Sequence, residues 1–232
     1  MKNILNERPQ LDFESLHGLP RYICESVKSE DVKNQSLLEI GVGYGWFLKF
    51  CLEKEPKYLL GIEYDNESIL TAQDTLNGLS IDLKVANALD LSFNEKIFDT
   101  VACFEVLEHL PKNKEARLFQ EVHRVLKPGG AFYLSTPYLS FLSTVLDPAW
   151  WLIGHRHYSK KKMHELASST GFKIEDLQIR GGNWMMLFTH NLYISKWIFR
   201  RPVFFKDFFD RKMDEEFKEN GYGNLILRMR KS

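Results

Sequence analysis

The run Leu37-Leu38-Glu39-Ile40-Gly41-Val42-Gly43-Tyr44-Gly45 narrows what this chain can fold into more than any other stretch. Leu37, Leu38 and Ile40 make the apolar stretch of a buried strand, and Trp46 to Cys51 begin a helical pattern. Between them the chain turns through three glycines, which accept torsions closed to other residues and let main-chain N–H groups approach a ligand. A strand, a glycine turn and a helix start in that order build a ligand site at the carboxyl edge of a parallel sheet. Taken alone, so short a run is weak evidence, because a tight turn that needs glycine would look the same.

The acid narrows the choice of ligand. A dinucleotide places its pyrophosphate at the helix N-terminus, where the peptide dipole favours negative charge. Glu39, two residues before the first glycine, would oppose it. S-Adenosylmethionine has no phosphate, and its sulfonium and α-amino groups are cationic, so an acid there is tolerated or useful. The Gly-x-Gly-x-Gly spacing of Gly41, Gly43 and Gly45 also departs from the dinucleotide fingerprint, which keeps two residues before its last glycine.

The 232 residues suffice for one α/β domain, with 33–180 and 222–232 as core, 1–32 as a leader helix and 181–221 as an insertion or cap. Thirty-one basic and 31 acidic residues cancel, so nothing global points to a nucleic-acid partner. Cys24, Cys51 and Cys103 lack paired or metal-ligand spacing, which suits a reducing compartment. Residues 1–10 are polar and hold no apolar signal core. The uncharged apolar stretch 181–195 has 15 residues, where roughly 20 would be needed to cross a bilayer. A cytoplasmic protein is the expectation.

Residues 11–32 read as an amphipathic leader helix broken near Gly18-Leu19-Pro20. Strands are expected at 36–41, 58–63, 81–86, 98–104 and 130–136, with helices at 45–53, 67–77 and 112–126 between them. Lys127-Pro128-Gly129-Gly130 stops the last of these helices. This rhythm implies a doubly wound parallel sheet with right-handed crossovers. Beyond Thr136 it loosens into a connection to Tyr158, a helix over 159–170, a strand over 173–180, an aromatic-rich insertion over 181–221 and a last strand over 224–230.

Four further features fall in order with the glycine loop. Glu63 ends the second strand 22 positions after Gly41, about where an acid holds a ribose diol. Asn87 and Ala88 follow the third strand, where a polar side chain can reach an adenine amine. Phe104-Glu105-Val106-Leu107-Glu108-His109-Leu110 closes the fourth strand, and Leu126-Lys127-Pro128-Gly129-Gly130 introduces the fifth. In this order the motifs resemble the class I S-adenosylmethionine-dependent methyltransferases, above all the group with the ubiquinone-biosynthesis O-methyltransferases and related type 11 domains. The resemblance covers 36–136 and thins out toward Leu177. It implies a Rossmann-like, doubly wound, seven-stranded, mostly parallel sheet with helices on both faces, and S-adenosyl-L-methionine as cofactor.

It also implies roles. Glu39, Gly41 and Gly43, with Gly45 completing the loop, would contact the methionine portion. Glu63 would hold the ribose, with Tyr64 beside the adenine. Asn87 would meet the adenine amine and Ala88 would flank the ring. Asn87 stands where the family usually has aspartate, so the adenine contact is expected to be weaker or altered but not lost. Phe104 would offer its carbonyl to the cofactor's amino group, with Glu105 next to it. Glu105 and Glu108 also suit solvated positions after a buried strand.

Candidates for proton transfer are His155 and His157 in Gly154-His155-Arg156-His157-Tyr158-Ser159, on the side where the family builds its acceptor pocket. With Tyr158 they could supply a base near neutral pH. The competing reading is a capping segment, with Ser159 starting a helix and the histidines partly buried. His109, at the cofactor edge, suits a structural or a catalytic part. Arg21 and Tyr22 suit either the pocket or an exposed helix face.

Residues 183–209 are dense in aromatic side chains and carry Lys196, Arg200, Arg201 and Lys206. They suit a lid over a lipophilic acceptor, a peripheral membrane contact, or core or dimer packing. The chemistry expected is in-line methyl transfer to a small-molecule O or N acceptor, in which the protein aligns a nucleophile and excludes water. No metal-ligand spacing is evident, so a metal-independent reaction is expected. Two rivals stand beside it: a nicotinamide-dependent oxidoreductase, and a catalytically inactive cofactor-binding partner subunit.

Overall fold

The computed structural model describes residues 13–232. The polar start at 1–10 and the first residues of the expected leader helix lie outside the described residues. Seven strands form one mixed sheet: β1 (Ser36–Ile40), β2 (Tyr58–Glu63), β3 (Asp82–Val85), β4 (Phe98–Phe104), β5 (Leu126–Pro137), β6 (Phe172–Arg180) and β7 (Asn224–Lys231). Their order is β3-β2-β1-β4-β5-β7-β6, with β1 to β5 mutually parallel and β7 antiparallel to both of its neighbours. The chain runs outward from β1 to β3 and then returns to lay β4 on the other side of β1. This reversal opens a crevice at the carboxyl ends of β1 and β4.

Helices cover both faces, which is why the inner strands read as unbroken apolar runs. Leu38, Ile40, Leu60 and Ile62 meet α4 (Glu115–Val125) and α7 (Lys160–Ser169) through Leu118, Phe119, Met163 and Leu166. Leu37 and Leu59 point the other way, onto α1 (Leu19–Ser26), α2 (Trp46–Leu52) and α3 (Asn66–Leu76) through Ile23, Phe47, Leu48 and Leu76. Each such fully buried Leu or Phe side chain stabilises the fold by about 1.5–3 kcal/mol.

The leader is not one helix. A 3-10 turn over Phe13–Ser15 precedes α1, which begins after Gly18 at φ 61° with proline in its first turn, and a second 3-10 turn spans Ser29–Asp31. Asp31 fixes the leader to the sheet, accepting from Arg228 Nε at 2.8 Å and Tyr133 Oη at 2.5 Å.

The expected break at Lys127-Pro128-Gly129-Gly130 is the irregular start of β5. Leu126 pairs with Phe98, and the register then shifts before Thr100 meets Ala131. Such an irregularity absorbs a proline and a left-handed glycine, here Gly129 at φ 73°. The connection after β5 contains α5 (Phe141–Leu146), capped by Ser140, and α6 (Pro148–Ile153), capped by Asp147. The late insertion folds as α8 (Asn183–Tyr193), a π turn over Ile194–Ile198 and α9 (Lys206–Glu216). Among the described residues no helix is long and apolar enough to cross a membrane.

Candidate functional site

Two cavities meet at the crevice. The first, about 740 Å³, brings together Glu39, Gly41, Gly43, Glu63, Tyr64, Asn87, Ala88, Phe104, Glu105 and His109. The second, about 880 Å³, holds His155, His157 and Asp147 against Met185, Met186, Phe188, Tyr193 and Met213. Leu19, Pro20, Trp46 and Glu105 line both.

Glu39 is the most deeply buried of the acids that line the first cavity. It is 1% exposed, and its Oε2 has no hydrogen-bond partner among the described residues. Burial, and then the carboxylate of Glu63, push its pKa well above the usual carboxylate range. A buried unpartnered acid of this kind is costly unless a cation or donor reaches it.

The glycine loop offers shape more than donors. Gly41 N–H donates to Ile62 O at 2.9 Å, Gly43 N–H to Glu63 Oε1 at 2.6 Å and Gly45 N–H to Val42 O at 2.9 Å. These amides are not turned outward into the nest a pyrophosphate needs. Gly41 lets the backbone pass under Val106, whose Cγ2 would lie 2.3 Å from an added Cβ. Gly43, at φ 56°, has open space where its Cβ would be, which leaves room for a ligand.

Gly45 does not line the cavity. At φ 85° it starts α2, and a Cβ there would meet Leu76 Cδ1 at 2.5 Å. Its spacing suggests a ligand contact, whereas its surroundings make it a packing residue. Gly45→Ala is expected to cost about 2–4 kcal/mol from left-handed strain plus overpacking, measurable by urea unfolding.

Asn87 Oδ1 accepts from Leu89 N–H at 2.9 Å, so the amide oxygen expected to meet an adenine amine already helps make a turn. Glu105 has φ 54°, and its carboxylate accepts from Ser135 Oγ at 2.7 Å and Asn224 Nδ2 at 3.0 Å. Burial raises its pKa against those hydrogen bonds. Glu108 is not solvated either. It is 4% exposed, Oε2 accepts from Thr136 at 3.0 Å, Oε1 has no hydrogen-bond partner among the described residues, and burial lifts its pKa.

The second cavity separates the two histidines. His157 is buried, with Nε2 2.9 Å from Asp147 Oδ2 and Nδ1 3.5 Å from Ser143 Oγ, so both ring nitrogens are engaged. His155 shares the same Asp147 Oδ2 through Nδ1 at 3.2 Å. Its Nε2 lies 3.7 Å from Glu108 Oε1, too far for a direct hydrogen bond. Burial alone would raise the Asp147 pKa, but hydrogen bonds from both histidines and from Ala149 N–H bring it below the usual range. His109 packs on His155 with ring centroids 4.9 Å apart, and burial, His155 and Arg156 lower its pKa.

Folding also gathers cation-ligand atoms that no sequence spacing announces. Glu108, His109 and His155 form one set within 4.8 Å, and Asp147, His155 and His157 another. In the second set Asp147 already serves both imidazoles and Ala149 N–H. The first retains the unpartnered Glu108 oxygen and could accept a divalent cation.

Other candidates turn out to be structural. Tyr158 Oη donates to Leu107 O and Glu115 Oε1, and burial raises its pKa, so it is no base. Ser159 caps α7 by accepting from Lys162 N–H. Arg21 pairs with Glu25, and Tyr22 bonds Gln178; neither lines a cavity. The leader contributes Leu19 and Pro20 to both cavities, and Ile23 to the first. Sequence reasoning missed Asp147, for which the Asp-Pro cap signal was present, and Arg156, whose guanidinium pins the 107–110 turn through Leu107 O, Glu108 O and Leu110 O.

Residues 38–134 match the family model described as "Methyltransferase domain". A "Probable S-adenosylmethionine-dependent methyltransferase" of Mycolicibacterium smegmatis is 28% identical over 142 residues, covering 61% of this chain and 53% of the relative. A ubiquinone biosynthesis O-methyltransferase of Colwellia psychrerythraea is 30% identical over 152 residues, covering 58% and 60%. The chain thus spans about half the length of the first and somewhat more of the second. The crystal structure of an S-adenosylmethionine dependent methyltransferase from Mesorhizobium loti superposes with a TM-score of 0.65 at 18% identity, covering 90% of this chain and 95% of that one. At that identity the likeness speaks for the fold.

Proposed function

We propose that this chain, whose residues 38–134 match a methyltransferase domain model, is a class I S-adenosylmethionine-dependent methyltransferase that transfers the cofactor's methyl group to a small apolar acceptor. The observation that carries this reading is the buried carboxyl oxygen of Glu39, without a partner among the described residues, in a cavity where the Gly41 and Gly43 amides are already engaged. Such a site fits a cationic ligand and repels a pyrophosphate.

When bound, S-adenosylmethionine supplies a methyl group already activated on a sulfonium. Glu39 would take the ammonium of its methionine portion, and Glu63 would hold the ribose hydroxyls through the oxygen not bonded to Gly43. Asn87, Ala88 and Tyr64 would frame the adenine, and Phe104 and Glu105 the junction with the second cavity. Leu19, Pro20 and Trp46 exclude water from that junction.

On the acceptor side, His155 is the general base. Asp147 holds its Nδ1–H, which leaves the Nε2 lone pair to take the acceptor's proton. His157 is a positioning residue that fixes Asp147. His109, in the cofactor cavity, flanks the His155 ring. The apolar lining by Met185, Met186, Phe188 and Met213 favours a lipophilic acceptor, and the Colwellia relative's name favours an oxygen nucleophile.

Calorimetry against S-adenosylmethionine and NAD tests the cofactor, with binding of the first alone expected. Methyl-release assays on phenols, amines and lipids then test the reaction. Binding of NAD in place of S-adenosylmethionine would overturn the reading. Cofactor binding with no transfer across the acceptor panel would favour a partner subunit over an enzyme.

A further inference from the structure

Away from both cavities, the face built by α5, α6 and the outer side of α8 with its π turn is apolar and open to solvent. Phe141 is 81% exposed, Trp151 68%, Trp197 60% and Ile198 70%. The two halves are continuous, because Leu146 of α5 and Leu187 of α8 line one shallow pocket together with Met186 and His190. Water-facing surfaces rarely carry an apolar patch of this kind without a partner.

Among the described residues of 138–153 and 183–206, the exposed charges have one sign. Residues 183–206 contain no Asp or Glu, and Lys196, Arg200 and Arg201 are exposed among them. The one acid within 138–153 is Asp147, which is turned inward onto His155 and His157. Exposed aromatics beside unopposed cations are the composition that seats a protein at the boundary between headgroups and acyl chains of an anionic bilayer. A second copy of the chain fits less well. A two-fold contact would bring this patch against its own image, cation near cation, with no acid of 138–153 or 183–206 exposed on the face to pair them.

We propose that the surface of α5, α6 and residues 187–201 docks on an anionic lipid bilayer, with Phe141, Trp151 and Trp197 at headgroup level. The opposite side of α8 supplies Met185, Phe188 and Tyr193 to the second cavity. If the function proposed above holds, one helix then touches both the lipid and the methyl acceptor, and the acceptor is a lipid-soluble molecule. The docking itself does not depend on that function.

The test is co-sedimentation of the full chain with vesicles of phosphatidylcholine alone or mixed with phosphatidylglycerol, at low and high salt. Binding to the mixed vesicles is expected, weakened by salt and accompanied by a blue shift of tryptophan emission. Trp197→Ser with Phe199→Ser, and separately Arg200→Glu with Arg201→Glu, should each reduce partitioning by about tenfold or more. S-Adenosylmethionine binding should be unchanged in both, since none of these residues lines either cavity. That calorimetric control reports folding, and it separates failure of the docking from failure of the cofactor reading. Absence of binding to anionic vesicles overturns the proposal. So does a dimer in light scattering that either pair of substitutions dissolves, which would make this face a contact between copies.

Discussion

Glu39→Gln should weaken S-adenosylmethionine binding by about 10- to 100-fold while making the ligand-free protein more stable by about 1–3 kcal/mol. Both effects come from one buried carboxyl. In the free protein it is 1% exposed, one oxygen lacks a partner among the described residues, and Glu63 adds repulsion. Glutamine keeps the shape and removes the charge. With ligand present the same carboxylate meets a cation, and the amide cannot replace that attraction.

The sign of the pH dependence follows from the direction of the shift. The Glu39 pKa is raised on folding, so the folded chain keeps a proton that the unfolded chain gives up. Its contribution to stability is complete below the ordinary glutamate pKa and declines as pH rises through the folded value. The advantage of Glu39→Gln should therefore grow with pH. Cofactor affinity of the wild type should rise over the same interval, with proton release on binding, and stay flat in the variant. Thermal melts and calorimetry in two buffers of different ionisation enthalpy check this. Unchanged affinity in Glu39→Gln would remove the cationic-ligand argument.

The second large effect is expected at the Asp147–His155 pair. His155→Ala should lower kcat by about 10²–10⁴-fold with cofactor affinity nearly unchanged, because the side chain lies in the acceptor cavity. Asp147→Asn should cost about 10²-fold, since an amide no longer fixes which ring nitrogen carries the proton. His157→Ala should act more on stability than on kcat, being a buried ring with both nitrogens engaged.

Asp147 has a depressed pKa, so its contribution to stability is present above the ordinary aspartate range and lost as acid protonates it. In Asp147→Asn that acid-side loss should vanish, together with the pH dependence of kcat tied to an oriented imidazole. Acid melts and a pH–rate profile against one accepted substrate would decide. Full turnover in His155→Ala would remove the general base from the mechanism.

What could be read from the chain was mostly local. The strands that carry Glu39 and Glu63 at their carboxyl ends, the turn through Gly41 and Gly43, and Asn87 after the third strand follow from periodicity and glycine chemistry, and the fold sets them around one cavity. The acceptor side was less legible because its contacts are long-range. Asp147 comes from the α6 cap, Glu108 from a 3-10 turn after β4, and His155 from the segment before α7, and no spacing along the sequence announces their meeting. Glu108 stayed open between a solvated and a buried position because its direction depends on that turn, which Arg156 pins from 48 residues away. Gly45 looked like a ligand contact because only the fold reveals Leu76 above it.

Leu19, Pro20, Trp46 and Glu105 wall both chambers at once. Ligands on either side would touch that one shared wall, and any coupling between their affinities is reciprocal. Whatever factor the donor applies to capture of the acceptor, the acceptor must return to the donor. A mutation in that shared wall that changes the coupling must change it by the same factor for both ligands, a reciprocity that titrations in either order can read.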